Sequence, residues 1–96
     1  MIFEWDAGKA ASNVRKHGVS FETATRVWHD PYFEVWFDQT KDDQERWHAV
    51  GLISPGALLV VVHVYLNEED GEQVVRIVSA RRATRSEWRR YEQGEI

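Results

Sequence analysis

The sequence predicts an α+β domain, a small antiparallel sheet with helices packed mainly on one face, in the order β-α-α-β-β-β-β-α. Three observations point there. Helical apolar spacing behind capping residues appears twice near the N-terminus and once near the C-terminus. Between these segments lie runs that alternate with period two or are continuously apolar over strand lengths. The 96 residues allow one hydrophobic core, so residues 1–96 read as a single domain.

The elements follow in chain order. Ile2 to Trp5 suits a short first strand, and Asp6 an N-cap. Ala7, Ala10, Ala11 and Val14 recur at helical spacing, with Arg15-Lys16-His17 at the carbonyl end and Gly18 placed to terminate it. Ser20 offers a second N-cap, and Phe21, Ala24, Val27 and Trp28 form one stripe before Asp30-Pro31 stops the helix. From Tyr32 the period becomes two, with Phe33, Val35 and Phe37 on one face and Tyr32, Glu34 and Trp36 on the other. Asp38 to Gln44 reads as a loop, and Glu45 to Ile53 as a strand turning at Ser54-Pro55-Gly56. Leu58 to Tyr65 is apolar on both faces, the mark of a central covered strand. Asn67 to Gly71 reads as a turn, Gln73 to Ala80 as the last strand, and Arg85 to Gln93 as the last helix, opened by a Thr84–Glu87 capping box.

Composition narrows the function classes. With 43% hydrophobic residues, five Trp and two Pro, the chain is built to bury a core. It has no cysteine, which excludes disulfides and thiolate chemistry and suits a reducing cytoplasm. The longest apolar run, Ala57 to Leu66, is half a bilayer span, so a soluble, untargeted protein without membrane contact is expected. The net charge of -4 is unevenly spread: residues 1–26 carry +1, residues 27–75 carry -8 and residues 76–96 carry +3. A cluster at the basic ends can bind phosphate despite the overall sign, and the acidic middle can equally face a basic partner.

His17, His29, His48 and His63 lack paired ligand spacing, so neither a metal nor another cofactor is expected. His63 lies in the central apolar strand, where a hydrogen-bonded core histidine is expected. The tryptophans, spread over five elements, fit core packing better than base stacking. The segment Gln73 to Tyr91 is more informative. Arg81-Arg82 sit between a strand and a capped helix, where guanidinium groups beside free backbone amides suit a phosphate. Lys16-His17 and Glu45-Arg46 form further pairs at element ends. With Tyr91 these residues contain a base for a 2′-hydroxyl, cations for a phosphorane and an acid for a leaving oxygen. Each pair also reads as solvated surface charge.

One resemblance spans nearly the whole chain. Phe3-Glu4-Trp5-Asp6 with Lys9 and Asn13, the block Arg15-Lys16-His17-Gly18-Val19-Ser20-Phe21-Glu22, Glu45-Arg46, Gly51, Leu58 to His63, and Ile77 to Thr84 with Glu87 and Tyr91 resemble the BrnT family of type II toxins. These are small ribonucleases similar in fold to the RelE toxins. The resemblance implies RNA cleavage that arrests translation, and neutralisation by a ribbon-helix-helix antitoxin of the BrnA type, through which alone the complex touches DNA. It assigns catalysis to Lys16, His17, Arg46, Arg81 and Arg82, with Glu45 and Tyr91 as further candidates. Arg82 stands where the family pattern has Lys, and the chain is acidic where RelE-like toxins are basic. A noncatalytic module that pairs with an antitoxin in a repressor complex is the alternative.

Overall fold

A computed structural model describes residues 1–94. Five strands, β1 (Ile2–Glu4), β2 (Glu34–Lys41), β3 (Gln44–Ser54), β4 (Ala57–Glu69) and β5 (Glu72–Arg82), form one sheet in the order β1-β5-β4-β3-β2. The helices are α1 (Ala7–His17), α2 (Phe21–Ala24), which runs on as a 3-10 helix over Thr25–His29, and α3 (Arg85–Gln93). The fold is α+β, but the sheet is mixed: β1 runs parallel to β5, while the other pairs are antiparallel. A three-residue strand whose partners, Val74 to Arg76, lie near the other end of the chain carries no local sign of its direction, because period two is the same both ways.

The helices also do not share one face. Leu59, Val61, Ile77 and Ala80 face α1 and α2, burying Val19, Phe21, Ala24 and Val27. Trp36, Val50, Leu58 and Val60 turn the other way, and Trp88 and Tyr91 of α3 pack on them. Each fully buried aliphatic side chain contributes about 1.5–3 kcal/mol, so an uncovered second apolar face would forfeit several such terms. The Thr84–Glu87 capping box turns the chain onto that face; Thr84 N–H donates to Glu87 Oε1 at 2.8 Å.

Several boundaries shift for local reasons. The second helix holds α geometry for one turn only before tightening. The predicted loop over 38–44 is a tight hairpin in which Asp42 and Asp43 alone turn, both in the left-handed region (φ 53° and 61°). Likewise β4 continues to Glu69, with Asp70 and Gly71 turning. β5 continues through Arg82 without breaking at Arg81.

Two polar side chains join layers. β1 reaches only Arg76, leaving the outer edge of β5 open beyond it. Buried Asn13 of α1 fills in for the missing strand: its Nδ2 donates to the carbonyls of Ala80 and Val19 at 2.8 Å, and its Oδ1 accepts from Ala80 N at 3.1 Å. Asp30, also buried, accepts from Tyr32 N, Leu52 N and the Tyr91 hydroxyl at 2.9, 2.7 and 2.5 Å. It thereby ties the 3-10 helix to β3 and α3. Burial raises its pKa, but the three donors outweigh that and leave it lowered. At Gly51 the 3-10 helix comes so close that an added Cβ would stand 2.9 Å from the Val27 carbonyl oxygen. No described helix is long and apolar enough to cross a membrane.

Candidate active site

Strand alternation sorts the candidate residues by face. Arg81 lies opposite Val60, and Val60 opposite Val50, so Arg81 points to the α3 side. Arg82 lies opposite Leu59 and projects to the other side, exposed. On β3, Arg46 and His48 share Val50's face, whereas Glu45 and Trp47 point away. Ser79, Val62, His48 and Trp36 form one continuous row on the α3 side. Among the charged candidates, then, Arg46 and Arg81 share the α3-side face and Glu45 and Arg82 the opposite one, and the α3 side adds His48 and Ser79.

Arg81 is held firmly. Its Nη1 and Nη2 donate to Oε1 and Oε2 of Glu87 at 2.8 and 3.0 Å, and Nη1 also reaches the Arg82 carbonyl at 3.3 Å. The hydrogen bonds from Arg81 bring the Glu87 carboxyl down to about 2, and Glu87 in turn raises the Arg81 pKa. A guanidinium has five N–H donors. Three are engaged here, so Nε–H and the second Nη2–H carry no partner among the described residues. These two lie along one edge of the plane, the geometry that grips two oxygens of a phosphate.

Nearby, His48 Nε2 stands 3.5 Å from Asp38 Oδ1, a carboxylate placed by an irregularity in β2 between Phe37 and Gln39. Asp38 is close enough to Arg81 to favour its charge. Arg46 is half-buried, with its Nε enclosed and unpartnered. The open part of the α3-side face thus combines two cations with an imidazole backed by a carboxylate. The signal for His48 was present as the i, i+2 spacing from Arg46, which places both on one strand face.

The remaining candidates stand elsewhere. Lys16 and His17 line a groove of about 240 Å³ with Lys9, Ser12, Asn13, Val78 and Ser79, between α1 and the open edge of β5. Ser79 belongs both to that groove and to the His48 row, so the two regions adjoin along β5. The Tyr91 hydroxyl donates to Asp30, and burial and that hydrogen bond push its pKa far above the usual phenol value. The predicted core histidine is found: His63 Nδ1 lies 3.1 Å from the Val61 carbonyl, and burial lowers its pKa, so the ring is neutral. No group of three or more metal-ligating side chains gathers among the described residues.

Comparison with known proteins gives the chain its relatives. Among curated proteins none matches the sequence. The crystal structure of the Brucella abortus ribonuclease toxin BrnT superposes with a TM-score of 0.63 at 22% identity, covering 88% of this chain and 100% of that one, a likeness of fold. The family model described as "Ribonuclease toxin, BrnT, of type II toxin-antitoxin system" matches residues 5–87. With its model matched over most of the sequence, the chain belongs to the BrnT family of ribonuclease toxins of type II toxin-antitoxin systems.

Proposed function

We propose that this protein is an endoribonuclease that cleaves RNA without a metal ion on the open α3-side face of its sheet. The observation that carries the reading is Arg81: splinted by Glu87, it presents a free two-donor edge on the sheet face that also carries His48–Asp38 and Arg46. The free edge would bind two nonbridging oxygens of the scissile phosphate, and Arg46 would share the charge that grows on them. His48 would donate through Nε2 to Asp38, leaving Nδ1 to take the proton of the ribose 2′-hydroxyl. The 2′ oxygen then forms a bond to phosphorus as the bond to the 5′ oxygen breaks. That oxygen takes a proton from water, and the hydroxide left recovers the proton held by His48, giving a 2′,3′-cyclic phosphate and a 5′-hydroxyl with the imidazole restored.

Lys16 and His17, in the adjoining groove, are suited to hold the flanking RNA rather than the reacting phosphate. Membership of a type II toxin-antitoxin family supports the rest of the reading: cleavage in the cytoplasm of RNA needed for translation, and neutralisation by a BrnA-type ribbon-helix-helix antitoxin that brings the complex to DNA. The RelE-like relationship belongs to the same reading. The test is incubation of purified protein with RNA in EDTA, with end-group analysis of the products. Cyclic phosphate ends are expected. Products appearing only on addition of a divalent ion would refute the mechanism, and no products would favour a noncatalytic antitoxin-binding module.

A further inference from the structure

The β2–β3 hairpin has a second face, and nothing in the proposed chemistry uses it. Phe37 and Trp47 pair across the strands with ring centres 5.2 Å apart, and Trp47 continues to Tyr65 of β4 at 6.5 Å. Phe37 is 53% and Tyr65 42% exposed, although both belong to the face that α1 and α2 cover elsewhere. The cause is the shortness of the second helix. Its 3-10 continuation ends at His29, so Trp28 packs on Phe3, Phe33 and His63 and the helical layer extends no further. A three-strand aromatic surface is left bare.

Its surroundings are acidic. Between positions 38 and 45 the hairpin carries Asp38, Asp42, Asp43 and Glu45 against Lys41 alone. Asp42, Asp43 and Glu45 form no ion pair among the described residues, whereas Asp38 turns to the opposite face and His48. A cleft of about 220 Å³ lined by Asp43, Gln44, Glu45, Trp47 and Tyr65 has carboxylates on one side and aromatic rings on the other. That combination suits a guanidinium or ammonium group, which gains from carboxylates and ring faces together. It disfavours RNA, and it disfavours a second copy of this surface, since both would bring negative charge to negative charge.

We propose that this face of the hairpin is the docking surface for a basic segment of the antitoxin, anchored by apolar side chains on Phe37, Trp47 and Tyr65. The inference rests on the toxin–antitoxin part of the reading above and is independent of RNA cleavage. Because Trp47 lies between Arg46 and His48 in the chain, a partner gripping one face holds the strand that carries the other.

The test uses the antitoxin encoded with this chain, purified and titrated onto the toxin in the absence of RNA. Two variants are compared with wild type, each checked by thermal melting: Phe37→Ser/Tyr65→Ser, and Asp42→Asn/Asp43→Asn, in which Asn tolerates the left-handed turn. The first is expected to weaken binding by about thirtyfold or more, the loss typical of buried aromatic anchors. The second is expected to weaken it severalfold and flatten its salt dependence. Wild-type affinity in both folded variants would overturn the proposal. So would self-association of the toxin that Phe37→Ser/Tyr65→Ser abolishes while antitoxin binding stays unchanged. Binding that depends on the hairpin in a protein that cuts no RNA would refute the cleavage reading and leave this one standing.

Discussion

Replacing Glu87 by Gln tests whether Arg81 is splinted in the way the structure indicates. Glu87 is 17% exposed and accepts two guanidinium hydrogen bonds as well as the Thr84 amide. Its pKa falls from 4.5 to about 2, with the Arg81 hydrogen bonds the largest cause. A carboxylate with a lowered folded-state pKa stabilises fully above its unfolded pKa, and that stability is lost as the pH falls from 4.5 through 2. The shift corresponds to about 3 kcal/mol at neutral pH, and partial exposure and competing water make about 1–3 kcal/mol the working range. Gln can keep the cap but can accept only one of the two guanidinium bonds. Urea unfolding should therefore show Glu87→Gln less stable by that amount at pH 7, with the gap narrowing as the pH approaches 2. RNA cleavage should fall about tenfold, because Arg81 keeps its charge but loses its fixed orientation. Equal stability at pH 7, or a gap that does not change with pH, would show that the ion pair contributes nothing to holding Arg81.

Further outcomes follow from the same structure. His63 is enclosed and neutral, so the fold should lose stability as the pH drops below about 6.5, by up to about 1.4 kcal/mol per pH unit from this group. His63→Leu should flatten the slope between pH 5 and 7 in denaturant melts, and an unchanged slope would contradict this. Gly51→Ala should cost about 1–3 kcal/mol, since the new methyl group would meet the Val27 carbonyl oxygen, a backbone atom that cannot rotate away. A melting temperature equal to wild type would show that the 3-10 helix yields freely. Asn13→Ala should destabilise by about 2 kcal/mol or more, because the N–H and carbonyl of Ala80 lose their partner at the strand edge. Faster amide exchange at Ala80 than at Val61 would locate the loss.

How much of this was legible in the chain depended on the range of the interaction. Caps and strand faces are set by neighbouring residues, and Asp6, Ser20, Thr84 and Glu87 cap as their spacing predicts. The period-two split of Phe33 to Phe37 likewise places Trp36 under α3, where Arg90 lies 3.9 Å from its ring centre, and leaves Phe37 on the opposite face. The direction of β1 was not legible, because its partner is remote. The placement of α3 could have been inferred: Leu58 to Tyr65 is apolar on both faces, and that demands cover on both. At the site, alternation separates Arg81 from Arg82 once the strand is known to run through both. It also takes Glu45 away from Arg46. His48 shows no metal-ligand spacing, and its carboxylate partner comes from an irregularity in β2 that no local pattern announces. Tyr91 carried the chemistry of an acid in sequence, and only the fold shows it committed to Asp30.

The most direct test is single-turnover RNA cleavage in EDTA by wild type, Arg81→Ala and Arg82→Ala, each confirmed as folded by thermal melting. The side chains are adjacent, share a charge and point to opposite faces of one strand, so each controls for the other. Arg81→Ala should lose about a hundred- to a thousandfold, the scale for removing one preorganised transition-state donor, and Arg81→Lys should recover only in part, since its point charge cannot form two parallel bonds. Arg82→Ala should stay within a few fold of wild type. Folded Arg81→Ala cleaving at the wild-type rate, or Arg82→Ala losing as much as Arg81→Ala, would contradict the placement of the active site on the α3 side of the sheet.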